Sequence, residues 1–546
     1  MLSGGPPLRP RHATVGEALE SAASSALGLT FLDAKERETA FSFAELYARA
    51  CRAAGGLREL GVGRGDRVAI VLPTGPAFMD AFFGAVLAGA VPVPLYPPVR
   101  LGRLEEFHRR TARTLVASGA SVVLSDSRVS RLLGVALAQA RPPLGLRAVP
   151  QGAPLAERAH PGDLALIQFS SGTTVDPKPV ALTHENLLAN VAAIETILPP
   201  DDAQAGVSWL PLYHDMGLIG CLLLAVARPG PLTLIPPELF LARPSLWLRA
   251  ISRKRATISV APNFAYGLCL RRFHEDELAG VDLSSWRFAL NGAEPVAPAV
   301  LDRFAQRFSR HGFDGRALMP VYGLSEASLA VTFTPPGRGP RSLRRAGREL
   351  SSVGRPLPGV ELDVREGRIF VRGPSVMRGY YGDEAATRQV LRDGWLDTGD
   401  LGFVDGEELF VSGRAKDVII LRGKNHAPQE FEEALDGMAG VRPGCVAAVP
   451  AGTSEGEELA LLVETDGPAD AEQIRARVAE RTGVRPHEVR LLAPGTLPRT
   501  SSGKLRRFEA QRQLEAGELR PPDAVTLLHI ARETARSLLS RARSRT

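Results

Sequence analysis

Between residues 66 and 126 short apolar runs alternate with longer amphipathic ones, and that alternation constrains the fold more than any other feature of the chain. RVAIVLP (67–73), VPVPLY (91–96) and SVVLSD (121–126) have the length and composition of buried strands. PAFMDAFFGAVLAGA (76–90) and RLEEFHRRTARTLVASG (103–119), which separate them, have helical length and patterning. Strands joined through helices pair in parallel, because the crossover carries the chain back over the sheet, and the helices then cover its faces. The same grammar resumes after a Pro/Gly-rich stretch at 141–162 and continues through TISVAPN (257–263) and PAVLDRFAQRFSRHGF (298–313).

Residues 350–411 change character, with Gly/Pro turns between short strands such as GVELDV and RIFVRG, which predicts a smaller β-rich subdomain. After about Gly413 a compact pattern follows: helix 430–437, strands 445–449 and 457–464, helix 469–482, strand 488–492 and helix 506–517. The predicted fold class is α/β. A large N-terminal domain of βαβ-built sheets plus the β-rich subdomain (1–412) leads through a hinge (413–417) to a small mobile α+β C-terminal domain (418–520). A basic helical tail (521–546) ends the chain; from Ile530 onward it holds Arg532, Arg536, Arg541, Arg543 and Arg545 against the single acid Glu533. It reads as a solvated terminal helix, with a membrane-surface or partner contact as the alternative.

Composition excludes several classes of function. Lys plus Arg number 66 against 60 Asp plus Glu, an excess of +6 over 546 residues, too thin to argue for nucleic acid as a partner. Apolar stretches such as Ala81 to Pro94 and Leu218 to Ala227 are shorter than the roughly 20 residues a bilayer requires, so no integral membrane segment is expected. The first residues hold no apolar run of signal-peptide type, and a cytoplasmic location is the expectation. Cys51, Cys221, Cys269 and Cys445 lie far apart without CxxC or His pairing and read as reduced core residues.

Five segments carry the chemistry. QFSSGTTVDPKPVALTH (168–184) follows a strand and offers backbone N–H groups, hydroxyls and Lys178 to phosphate oxygens. It is not a P-loop, because Lys178 is followed by Pro179 rather than Ser or Thr. VYGLSEAS (321–328) places an aromatic, a glycine and Glu326 at the end of an apolar strand, where open α/β sheets bind ligands. WLDTGDLG (395–402) puts Asp397 and Asp400 in a predicted turn. VSGRAKDVIILRGKNHAPQEFE (411–432) combines Arg414, Lys416 and Asp417 at the domain border, and PRTSSGKLRR (498–507) holds Lys504 on a Ser/Gly turn. Any one of these is unremarkable as a surface loop; their joint order and separation is not.

In that order and at those separations the sequence resembles the acyl-adenylate-forming enzymes: acyl-CoA synthetases, fatty acyl-AMP ligases, peptide-synthetase adenylation domains and firefly-type luciferases. The resemblance runs from about residue 15 to about residue 517 and includes WLPLYHDMGLIG (209–220) and NGAEPV (291–296). LYPP at 95–98 together with SWLPLYHDMGLIG looks most like the fatty acyl-AMP ligases, which pass the acyl group to an acyl carrier protein. The resemblance implies ATP and Mg²⁺ as cofactors and a fatty acid as substrate. It implies Lys504 as the catalytic lysine bridging carboxylate and α-phosphate, and Glu326 as the Mg²⁺ ligand. Thr173, Thr174 and Lys178 would hold the β- and γ-phosphates, and Asp400 and Arg414 the ribose hydroxyls. Tyr322 would stack on adenine, and Gly292, Ala293 and Glu294 would line the base. His214 would shape the carboxylate entry, and Lys416 matches the hinge about which the small domain rotates.

Two departures from the family stand out. Val175 and Pro179 replace glycines; valine disfavours positive φ and proline removes an N–H, so a stiffer phosphate loop is expected. The segment between Ala327 and Gly354 is short, and the missing part includes the insertion associated with refusing CoA. It carries five arginines in eleven positions, Arg338, Arg341, Arg344, Arg345 and Arg348, which read as a solvated loop rather than a docking face. The preferred function is activation of a medium or long fatty acid to acyl-AMP, then transfer to a carrier protein, with CoA as the alternative acceptor. An amino-acid adenylating enzyme is disfavoured, because the run GCLLLAVA (220–227) after His214 offers no aspartate for a substrate amine. An inactive nucleotide-binding scaffold is disfavoured because Lys504, Glu326, Asp400 and Arg414 are all present.

Overall fold

A computed structural model describes residues 1–546 other than 99–102, 171–176, 200–203, 271–274, 346–347, 422–423, 454–455, 501–503, 523–531, 538 and 541–546. Its largest layer is a nine-stranded sheet. The strands Leu318–Gly323, Phe288–Asn291, Ile258–Ala261, Gly206–Ser208, Leu232–Leu234 and Gly28–Leu32 run parallel within it, in that spatial order. Antiparallel strands close both edges. A second sheet of four parallel strands, Val91–Pro94, Arg67–Val71, Val122–Ser125 and Leu146–Arg147, is the βαβ unit read between residues 66 and 126. Its helices fall at Pro76–Leu87 and Leu104–Ser118. Pro76 opens the first at a position where its missing N–H has no helical partner to lose.

The predicted β-rich stretch is a six-stranded sheet built on Glu361–Arg365, Arg368–Arg372, Trp395–Asp405 and Glu408–Arg414. The predicted turn at Asp397–Asp400 is instead the middle of the long strand Trp395–Asp405. Gly399 takes φ +73 there, and the pairing register shifts between Leu401 and Gly402. A glycine that serves a bulge carries the same local signal as one that serves a turn.

Residues from Ile419 to Leu514 have their own cores, with no member from the large N-terminal part. Three strands, Val441–Thr453, Gly456–Thr465 and Glu488–Leu492, carry the helices Ala471–Thr482 and Arg507–Glu515. This small C-terminal domain is tied to the large one at several points. Arg506 donates to Glu106 at 2.5 Å, Arg103 donates to the carbonyls of Gly495 and Thr496, and Arg348 donates to Glu433 at 3.1 Å and to the Ser412 carbonyl.

Two surface expectations are corrected. The arginine-rich segment is not a solvated loop but a hairpin of Ser342–Arg345 and Arg348–Ser351 clamped onto its neighbours. Arg338 pairs with Glu408, Arg341 with Asp405 and Glu408, and the Arg345 guanidinium lies 4.0 Å from the Phe403 ring centroid. The tail is not simply solvated either. Ser537 is buried, its hydroxyl accepting from the Gly134 N–H at 2.7 Å, and Arg536 pairs with Glu105 at 3.2 Å. All four cysteines are free, as expected, but only Cys51 and Cys269 are core; Cys221 and Cys445 are half-buried.

Candidate active site

The carboxyl ends of the parallel strands in the nine-stranded sheet converge on one side. There they meet the last two strands of the β-rich sheet and the loop bearing Lys504. A cavity of about 1360 Å³ opens between them. Its lining includes Lys178, His214, Ala293, Glu294, Tyr322, Glu326, Asp400, Arg414, Lys416 and Lys504. Ten of the thirteen sequence-predicted site residues therefore share one space. Gly292 is described but does not line it: a Cβ there would stand 2.6 Å from Val321 Cγ2, so the glycine lets two strands approach. Thr173 and Thr174, and with them Val175, lie outside the described residues. Ser170 and Lys178, which flank them, end an antiparallel strand pair, Leu164–Phe169 and Pro179–Thr183. Pro179 is the first residue of its strand, where a proline sits without breaking a sheet.

Strand Leu318–Gly323 delivers two of the groups. Tyr322 is buried at its end, and Gly323 allows the chain to fold straight back, since a Cβ there would lie 1.7 Å from the Leu329 carbonyl oxygen. The reversal presents Glu326 on the one-turn helix Ser325–Ala327. Glu326 accepts a hydrogen bond from the Tyr380 hydroxyl at 2.9 Å. Burial pushes its carboxyl above the usual range in spite of that bond. Lys178 Nζ sits 4.5 Å from the centroid of the same Tyr380 ring, so the loop lysine and Glu326 meet across one aromatic side chain.

Asp400 and Arg414 face each other across neighbouring strands. The Tyr322 hydroxyl donates to Asp400 Oδ2 at 2.8 Å and Arg414 Nε donates to Oδ1 at 3.0 Å. Asp397, in the same segment, is committed elsewhere: it pairs with Arg368 at 2.6 Å and accepts from the Gly399 N–H. Lys416 follows in an exposed turn pinned by Ala415 N–H to the Gly399 carbonyl. Glu294 accepts from the Phe264 N–H at 2.5 Å, and burial raises its carboxyl despite that bond and the nearby Lys504. Lys504 is itself pushed down by burial, an effect that Arg414 deepens and that the charges of Asp215, Glu294 and Asp400 oppose. A cation held among three carboxylates in one cleft is suited to stabilising charge that develops between two anions.

The remaining wall is apolar. Gly220, Cys221, Leu224 and Ala225 recur with helical spacing along one face and line the cavity together with Val207, Ile258, Val260 and Phe264, and the charged Arg228 follows one turn on. Residues Leu218–Leu223 form a π-helical turn, a form that concentrates at functional sites. At the junction of the apolar and polar parts stands His214, and beside it Asp215, which sequence reasoning missed. His214 Nδ1 lies 2.6 Å from Asp215 Oδ1, and the Ser325 hydroxyl donates to Asp215 Oδ2. Asp215 does not fill the place of an aspartate for a substrate amine among residues 220–227, because both of its oxygens are already engaged. The signal lay in the HD pair of WLPLYHDMGLIG; its partner Ser325 is 110 residues away and was not legible.

Comparison with known proteins gives the family. Residues 19–381 match the family model described as AMP-binding enzyme. A protein of Caulobacter vibrioides described provisionally as an acyl-CoA synthetase is 35% identical over 92% of this chain and 96% of its own length. The medium-chain-fatty-acid–[acyl-carrier-protein] ligase JamA of Moorena producens is 32% identical over 90% of this chain and 92% of its own. Among solved structures, one from a study of fatty acyl-adenylate ligases of E. coli and L. pneumophila superposes with a TM-score of 0.86 at 34% identity, covering 93% of this chain and 99% of that one.

Proposed function

The chain belongs to the AMP-binding enzyme family and is an adenylate-forming acyl ligase that uses ATP, and from that premise we propose that it converts a medium- or long-chain fatty acid to acyl-AMP and then loads it onto the phosphopantetheine thiol of an acyl carrier protein. The observation that carries the reading is the shared cavity. Lys504, Asp400, Arg414 and Glu326 stand at one end of it, and an apolar arm leads away from His214 at the other. Its volume of about 1360 Å³ exceeds the roughly 300–1000 Å³ of a single-ligand pocket, as a site for a nucleotide and an acyl chain requires.

In the first half-reaction a carboxylate oxygen bonds to the α-phosphorus of ATP while the bond from that phosphorus to the β-phosphate bridge breaks, releasing pyrophosphate. Two anions must meet, and Lys504 supplies positive charge where they do. Asp400 and Arg414 hold the ribose hydroxyls. Tyr322 packs against adenine beside Ala293 and Glu294, with Gly292 supporting that turn from behind. Lys178, with Thr173 and Thr174, holds the outer phosphates. His214 orients the acid. Mg²⁺ fits Glu326: a buried carboxylate with one neutral donor gains from a cation, and one or two carboxylates plus phosphate oxygens satisfy Mg²⁺. Bound there, the ion would neutralise phosphate charge.

In the second half-reaction Lys504 must leave so that a thiol can reach the acyl carbonyl; the C–S bond forms as the bond from that carbon to the AMP oxygen breaks, releasing AMP and the thiol proton. Residues 1–412 serve as the adenylation domain, 413–417 with Lys416 as the hinge, and 418–520 as the rotating domain. The carrier-protein acceptor draws support from the LYPP segment and from the JamA relative. A CoA acceptor draws support from the short 328–353 segment. Mass spectrometry of products formed from a panel of fatty acids with ATP, CoA and holo carrier protein tests the reading. Acyl-carrier product is expected, and a higher kcat/KM for CoA than for every carrier tried would make the chain an acyl-CoA synthetase.

A further inference from the structure

Asp215 is buried at the point where three segments of the site meet, and it lines the cavity. His214 precedes it, Ser325 comes from the turn that presents Glu326, and the charge of Asp215 acts on Lys504 from the C-terminal domain. Its carboxylate is engaged on both oxygens: Nδ1 of His214 at 2.6 Å and the Met216 N–H at 2.7 Å share Oδ1, and the Ser325 hydroxyl donates to Oδ2. Burial alone would raise its pKa, yet His214 and the Ser325 hydroxyl hold it well below the usual carboxylate range, so it is an anion inside the site.

The consequence falls on His214. With Nδ1–H donated to Asp215, the ring is fixed in one orientation and one tautomer, and Nε2 is left buried with no partner among the described residues. His214 lines the cavity at the start of its apolar arm, so this orphaned nitrogen is a contact awaiting a ligand. A proton between Nε2 and the acyl carboxylate joins the two, and the Asp215 anion balances it from the other side of the ring.

We propose that Asp215 is a positioning residue for the acyl carboxylate: it orients the His214 imidazole through Nδ1 and, through Ser325, ties that imidazole to the turn bearing Glu326. The acid-holding and phosphate-holding sides of the site are thereby set in fixed register. The proposal rests on the reading of His214 as the group beside the carboxylate. It also accounts for an aspartate in an otherwise apolar segment: Asp215 is a fixture of the site rather than a partner for a substrate amine.

Two measurements on the full-length protein test it. The first needs no turnover: ¹⁵N-imidazole spectra of histidine-labelled protein, with the His214 signals assigned by loss in His214→Asn. Wild type should show Nδ1 protonated, and Asp215→Ala should move the proton toward Nε2. An unchanged His214 spectrum overturns the proposal. The second is a double-mutant cycle on dodecanoate-dependent pyrophosphate exchange. Asp215→Ala should lower kcat/KM for dodecanoate by about 10–100-fold, the usual loss when the group orienting a ligand-holding histidine is removed, with KM for ATP little changed. In the His214→Ala background the same change should cost no more than about threefold; equal losses in both backgrounds overturn the proposal. If wild type shows no exchange with dodecanoate, the fatty-acid reading is what fails, and the spectra still decide the role of Asp215. Should Asp215→Ala not fold, Asp215→Leu, which keeps a similar volume and removes both acceptor oxygens, takes its place in both measurements.

Discussion

Replacing Asp400 by asparagine separates nucleotide binding from structural support. In the protein Asp400 accepts from the Tyr322 hydroxyl at 2.8 Å and from Arg414 Nε at 3.0 Å. The amide keeps the size but turns one acceptor into a donor and removes the charge. The structural cost is modest: Asp400 is buried but 43% of the Arg414 side chain is exposed, so the guanidinium left without its anion keeps solvent contact, and the loss is on the order of 1 kcal/mol. The Tyr322 hydroxyl can rotate to accept from the new amide. The nucleotide cost is larger, because hydrogen bonds from ribose hydroxyls to a charged acceptor contribute about 1.5–3 kcal/mol. At 1.4 kcal/mol per decade that is about 10–100-fold in the KM for ATP. The assay is fatty-acid-dependent pyrophosphate exchange titrated in ATP, beside a thermal melt of the same preparation. Tyr322→Phe is the companion: it keeps the ring and removes only the hydroxyl, so a residue that mainly packs on adenine should lose less than about tenfold. An Asp400→Asn variant whose KM for ATP stays within about twofold of wild type would refute the assignment of this pair to ribose.

Lys504→Ala should lower acyl-AMP formation by about 10²–10³ while leaving acyl transfer from supplied acyl-AMP largely intact, measured as separate half-reactions; equal loss in both would indicate a folding defect. Arg348→Ala removes a guanidinium that links Glu433 and the Ser412 carbonyl across the two domains. It should raise protease sensitivity near residues 413–417 without lowering the melting of the large domain. His184 is buried with Nδ1 accepting from the Val15 N–H, and burial, opposed by Asp163, depresses its pKa to about 4. Its unfolded pKa is near 6.5, so this contribution is complete above that pH and is lost as pH falls towards 4, on the order of 3 kcal/mol in all. His184→Asn should flatten the stability profile in that window, seen in denaturant melts at pH 4.5 and 7.

What the sequence made legible is what local chemistry dictates. The βαβ run at 67–126 announced its strands because each is apolar, short and bounded by turns. The C-terminal elements were equally plain, with Glu488–Leu492 found where periodicity placed it. Lys504, Glu326, Asp400 and Arg414 were legible through order and spacing, and one cavity holds them. Long-range pairing was not legible. The arginines at 338–348 look like a solvated charge run until the hairpin lays them against Asp405, Glu408 and Phe403, far along the chain. Asp215 was visible as a letter but not as the hub that joins His214 to Ser325. Gly292 was grouped with the adenine-lining residues through the family resemblance of NGAEPV; that a Cβ there would crowd Val321 depends on a strand contact the sequence does not show. The strand through Asp397 and Asp400 was mistaken for a turn because a glycine at positive φ serves both.

The central claim is that this chain activates a fatty acid as its adenylate. Exchange of labelled pyrophosphate into ATP, run with Mg²⁺ and no acceptor thiol across a series of fatty acids and the standard amino acids, addresses it directly. The account predicts exchange that depends on a fatty acid, peaks at a medium or long chain length, and falls by about 10²–10³ in Lys504→Ala. Exchange driven by an amino acid with no response to any fatty acid would contradict it.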